Sequence, residues 1–191
     1  MWRLDTVLRA AGAAFEDRRD GLIGPYDFTL RGAHALVLEA ASPRAASIAA
    51  RMFGAIVKPT SGNIYVGEYD TRLQPPEAKR RLGFVDAGGF TRNAHAFDCE
   101  VAFRADVWNL DRAGSWRRAH AVLASLTTFD DTWARAIALA LVADVDLIVL
   151  DQPCAEAADA IRRVAPAIAI IQTQVARALP LVSCVPAPTP A

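Results

Sequence analysis

Along the chain, apolar positions repeat with two periods, one suited to strands and one to helices. An N-terminal segment of weak strand character leads through Tyr26–Leu30 and the turn Arg31-Gly32 into Ala35-Leu36-Val37-Leu38. Four consecutive apolar residues after a turn signal predict a buried strand. Glu39–Ala45 reads as a loop and Ala46–Ala55 as a helix, with Ile48, Met52, Phe53 and Ile56 at near-helical spacing. The turn Lys58-Pro59-Thr60-Ser61-Gly62 then precedes an alternating strand through Ile64 and Val66 that stops at Gly67.

Arg81–Val85 predicts another short strand, and Asp86–Asn93 a loop around Gly88-Gly89. Two amphipathic helices follow at about Glu100–Leu110 and Ser115–Leu126. Val101, Ala105 and Trp108 share a face of the first, and Trp116, Ala119, Val122 and Leu123 a face of the second. Together they predict a small helical subdomain over about residues 90–131, with Trp116 in its core. Thr132–Ala143 predicts a nearly all-apolar helix, Asp146–Leu150 a fully buried strand ending at Asp151, Glu156–Val164 a short helix and Ile168–Ile171 a last buried strand. Strands alternating with helices predict an α/β fold with a mainly parallel sheet, in which Ala35–Leu38 pairs with Leu147–Leu150. One domain is expected over residues 1–184. Residues 185–191, Val-Pro-Ala-Pro-Thr-Pro-Ala, lack donors at alternate positions and have little to pack, so disorder is expected there.

Composition narrows the function classes. A length of 191 residues suits one packed domain. With 21 basic and 21 acidic residues the formal net charge is zero, which removes the global electrostatic case for nucleic acid as a partner. The most apolar window, Trp133–Leu150, contains Arg135, Asp144 and Asp146, so no transmembrane segment is expected. Asp5 interrupts the apolar core that a secretory signal needs, and a cytoplasmic location follows. Cys99, Cys154 and Cys184 are far apart and read as reduced thiols, while His34, His95 and His120 fall on different elements and read as surface or core residues.

Three stretches, in this order, carry a family resemblance: Phe53–Asp70 with its Pro59-Thr60-Ser61-Gly62 turn and alternating strand, Ala78–Val85, and Asp146–Pro153. They resemble the segment after the phosphate-binding helix, the strand before the glutamine loop, and the Walker B strand of ABC transporter ATP-binding subunits, with the closest general likeness to the exporter type. The resemblance covers about Phe28–Gln174. It implies a P-loop NTPase-like ABC ATPase core with a reduced helical subdomain, and it implies ATP and magnesium as the ligands of a working site.

Aligning on Pro59 puts the family's phosphate loop on Ala40–Ser47. In a working loop, glycines let backbone N–H groups wrap the phosphates, a lysine neutralises them and a Ser or Thr binds magnesium. Here Ala40 and Ala45 stand at the glycines, Ala46 stands at the lysine, and only Ser47 is retained. The chain has two lysines, Lys58 and Lys79, and neither follows a glycine-rich loop, so no shifted phosphate loop exists elsewhere. Arg44 could pair with phosphate, but Pro43 stiffens the loop and two alanine methyls take the space phosphates would need. A solvated Arg44 is expected.

Asp151 stands at the magnesium-associated carboxylate, with a turn-capping role as the equal alternative. Gln152 stands where the family has its general-base Glu. An amide cannot accept a proton at neutral pH, so assistance usually worth about 10²–10⁴-fold is missing. Ala87 takes the place of the glutamine-loop Gln, Gln174 that of the switch His, and Thr127–Asp131 that of the signature turn, where Phe129 and two carboxylates oppose a γ-phosphate. Phe15 aligns with the adenine-stacking aromatic, although a lone Phe more often fills a core.

These replacements point to a pseudo-ATPase with no cofactor, acting as a structural or regulatory subunit at an exporter-type membrane complex. Its partner would be a membrane transporter subunit or another ABC ATPase-like subunit, and its position peripheral at the cytoplasmic face of the membrane. The resemblance implies a docking groove for a membrane partner between the α/β core and the helical subdomain, bordered by Asp86–Asn93 and the helix of Trp108. Two alternatives stay open: a subunit that still binds or slowly hydrolyses ATP, and a soluble interaction module unrelated to transport. Function resides in the site rather than in the fold.

Overall fold

The computed structural model describes residues 6–86 and 94–176. Ala87, Gly88-Gly89, Phe90, Cys184 and residues 185–191 lie outside the described residues. Strands β1 (Thr6–Asp17) and β2 (Gly21–Arg31) form a long antiparallel hairpin, closed by a turn at Asp17–Gly21. This is far more regular than the weak strand character expected there, because Asp20-Gly21 supplies the hairpin turn and Gly21 sits at φ 72°. On its other side β1 pairs with β4 (Ser61–Val66), and β4 with the two-residue β5 (Tyr69–Asp70), giving the order β2-β1-β4-β5.

The second sheet is parallel and contains β3 (Ala35–Ala40), β6 (Leu82–Asp86), β7 (Leu147–Asp151) and β8 (Ala169–Val175), in the order β3-β8-β7-β6. The expected α/β architecture is therefore present. The expected pairing of Ala35–Leu38 with Leu147–Leu150 is corrected, because β8 stands between them and pairs with both. Strands of similar apolar content carry no mark of their lateral order. The expected burial of the whole Ala35–Leu38 run is corrected with it. Among the described residues β3 is an edge strand, with Leu38 and Ala40 buried and Ala35, Val37 and Glu39 exposed.

Helix α1 (Pro43–Phe53) lies between the two sheets. Ala45, Ala46, Ala49, Ala50, Met52 and Phe53 are buried, and Phe53 meets the rings of Tyr26 and Phe28 on β2, each at 5.4 Å. The helix begins three residues before the expected Ala46, since Ser42 caps it and Pro43 takes the first helical position, where its missing N–H is harmless. A short helix α2 (Pro75–Arg80), not expected from the pattern, leads into β6.

Three helices form the outer layer beyond β6: α3 (Ala94–Val107), α4 (Arg112–Ser125) and α5 (Asp131–Ala140). With α6 (Ala157–Val164), α5 covers the sheet face opposite α1, where Trp133, Ile137 and Ile161 meet Val85, Ile148, Leu150 and Ile170. The helices α3 and α4 pack on α5 through Phe97, Val101, Ala119, Leu139 and Val142. Trp116, expected in this core, is 48% exposed and stacks on His120 at 4.1 Å. The buried line of α4 runs through the small residues Ser115 and Ala119, which let the helices approach closely, and Trp116 sits one position off that line.

At the join between the parallel sheet and α5, Gly83 faces Ala140: a Cβ on Gly83 would stand 2.8 Å from the Ala140 Cβ and 3.0 Å from its carbonyl oxygen. Gly83→Val is expected to destabilise the domain by about 1–3 kcal/mol through overpacking. Urea denaturation against wild type checks this, and an unchanged midpoint would show that α5 can move away from β6.

Candidate functional site

The site lies where β3 and β7 end beside the first turn of α1. Only Ala41 and Ser42 separate β3 from the first residue of the helix, so the loop expected over Glu39–Ala45 has closed to a tight turn. Ser42 accepts the Ala45 N–H on its hydroxyl at 3.0 Å and the Ala46 N–H on its carbonyl at 2.9 Å. Pro43 has no N–H to offer. A helix N-terminus attracts anions through uncommitted N–H groups, and this one commits those of Ala45 and Ala46 to Ser42.

It also carries anions of its own. The Ser42 hydroxyl donates to Asp20 Oδ1 at 2.9 Å, and Arg44 donates to Asp17 through Nη2 at 2.8 Å and Nε at 3.2 Å, with Asp20 a further 3.5 Å contact. The expectation of a merely solvated Arg44 is corrected: its guanidinium is half-exposed yet tied to the β1–β2 turn. The Arg44 guanidinium, followed by the N–H groups of Arg19 and Asp20, holds the Asp17 carboxyl well below the usual carboxylate range. The one cation that could pair with a polyphosphate here, Arg44, is thus already engaged by Asp17 and Asp20. Ala46, where the family resemblance implies a lysine, has no exposed surface.

Across the turn, β7 ends at the buried Asp151. Ser47 Oγ donates to Asp151 Oδ1 at 2.9 Å, and the Gln152 amide donates to the Pro43 carbonyl at 3.1 Å and to Ser47 Oγ at 3.0 Å, with Asp151 Oδ1 at 3.4 Å. Gln152 reaches these partners from a left-handed backbone conformation, φ 48°. Ser47, Asp151 and Gln152 are thus brought together, as the family resemblance implies. Ser47 and Asp151 alone would suit a hard cation such as magnesium. The amide N–H groups aimed at the same two oxygens do not suit one, and the turn supplies no phosphate cradle. The residues present do not fit a magnesium nucleotide.

The remaining candidates are elsewhere. Gln174, on β8, donates to Glu39 on β3 at 3.1 Å. Phe15 is partly buried against the core between the sheets. In the signature region, the Asp130 carboxylate caps α5, accepting the N–H groups of Thr132 at 3.0 Å and Trp133 at 3.1 Å, and Phe129 packs inward beside Leu126. Among the described residues no group of His, Cys, Asp and Glu could hold a metal ion. Sequence reasoning misses Asp17, Asp20 and Thr173. The Asp20-Gly21 hairpin signal could have found the first two. Thr173, whose hydroxyl accepts the Gln152 N–H at 3.4 Å, follows only from the pairing of β7 with β8.

A second feature is a groove of about 240 Å³ between α1, β6 and the helical layer, lined by Ile56, Phe84, Arg104, Trp108, Leu139 and Val142 among others. Trp108 is partly exposed on its wall, with the Arg80 guanidinium 5.9 Å from its ring centre. Of the two borders expected for a docking groove, Trp108 lines this one, Asp86 does not, and residues 87–93 lie outside the described residues.

No protein-family model matches the sequence, and no curated protein matches it. Solved structures do. An ATP-binding subunit of an ABC transporter superposes with a TM-score of 0.67 at 14% identity, covering 89% of this chain and 80% of that one. The cbiO1 protein from Clostridium perfringens, part of the cbiONQ ABC transporter complex, gives 0.65 at 18%, covering 90% and 79%. A bacterial Atm1-family ABC exporter with ATP bound gives 0.64 at 16%, covering 92% of this chain and 35% of that one. The fold is that of ABC transporter ATP-binding subunits. The three scores are of similar size, so the exporter type is not singled out among them. No helix of the described residues is long and apolar enough to cross a membrane.

Gln152→Glu would place a carboxylate against Asp151 and the Pro43 carbonyl, an acceptor facing acceptors. The variant is expected to lose about 1–3 kcal/mol at pH 7. Its new carboxyl should titrate above the ordinary Glu value of about 4.3, because a neighbouring like charge disfavours ionisation. The deficit should therefore shrink as pH falls through that raised value and the protonated acid can donate again. Denaturant titrations at pH 7 and pH 5 check both statements.

Proposed function

We propose that this protein is a catalytically incompetent, ABC ATPase-like subunit with a structural or regulatory role at a membrane transporter. The observation that carries the proposal is the Gln152 amide, which bridges Pro43, Ser47 and Asp151 in the place where a magnesium nucleotide would need open acceptors. The pairing of Arg44 with Asp17 and Asp20 engages the cation that a polyphosphate would need. General-base catalysis has no candidate at Gln152, and the signature position offers a helix already capped by Asp130. The fold shared with ATP-binding subunits supports a scaffold that kept its shape while its chemistry was replaced.

One observation favours a second reading, in which nucleotide is still held. Ser47 and Asp151 remain in contact at 2.9 Å, and a ligand that displaced the Gln152 amide would find both oxygens together. Isothermal titration with Mg-ATP separates the two readings. No saturable heat is expected, and stoichiometric binding would replace the proposal by the second reading. Ala46→Lys is expected to yield no ATPase activity, since it restores one group of an interdependent set and places an ammonium at a position without solvent access. Magnesium-dependent turnover by that variant would overturn the reading.

The transporter partner is proposed to dock in the groove beside Trp108, where a partly exposed aromatic and the half-exposed Ile56 offer an apolar anchor. Trp108→Ala is expected to weaken co-purification with a membrane subunit while the thermal melt stays nearly unchanged. A large fall in melting temperature with co-purification intact would assign Trp108 to packing and leave the membrane partner unsupported.

A further inference from the structure

We draw no further inference here: the strongest candidate, the groove of about 950 Å³ at the N-terminal ends of β3, β7 and β8, is lined by charges of both signs (Arg31 and Arg118, Glu68 and Asp144) that select no one ligand chemistry, and it opens at Thr6, the first described residue, where nothing in the structure shows what covers it.

Discussion

Helix α1 is buried between two sheets, and its burial fixes where each candidate functional group stands. Four of its six buried residues are alanines, Ala45, Ala46, Ala49 and Ala50, with Met52 and Phe53 at its C-terminal end. Methyl groups allow the helix to lie close to the strands on both sides, and larger side chains there would force the sheets apart at the density of a protein interior. From that fixed axis Ser47 reaches Asp151 on β7, while Arg44 reaches Asp17 in the hairpin turn. One buried helix thus ties together residues more than a hundred positions apart.

A phosphate-binding turn must leave backbone N–H groups uncommitted, which costs stability whenever no ligand is bound. The turn before α1 meets part of that cost with bonds inside the chain. Ser42, Asp20, Asp17 and the Gln152 amide are all hydrogen-bonded to partners within the chain. A left-handed backbone at Gln152 costs on the order of 1–2 kcal/mol for a residue with a Cβ, and the amide's contacts offset it. An internal partner is also present at α5, where Asp130 caps the helix start. At both helix N-termini a side chain of the chain itself accepts backbone N–H groups.

The helical layer follows a different rule. Close approach of α3, α4 and α5 depends on small residues, Ser115, Ala119 and Ala138, with Phe97 and Leu139 filling the space between them. Two tryptophans of the same layer stand outside that contact: Trp116 rests on His120 and Trp108 reaches the groove wall. Apolar periodicity identifies a helix and its general face. It does not distinguish the line of contact from the residue beside it, because the choice depends on the shape of the partner helix.

Local chemistry was legible in the sequence. The apolar run Asp146–Leu150 specified a buried strand, the Pro59–Gly62 turn and its alternating strand placed β4, and the alanines and glutamine at the phosphate-loop and general-base positions differed from the residues that the family resemblance implies there. These are statements about residue type and short-range order, and sequence carries both directly. The tertiary structure alone decided that β8 lies between β3 and β7, that Arg44 finds Asp17, that the Gln152 amide turns back onto Pro43 and Ser47, and that among the described residues β3 stands at an edge. Each of those depends on which distant segments become neighbours when the sheets close around α1. Several strands of equal apolar content could have filled each place, so the assignment came from packing and not from pattern.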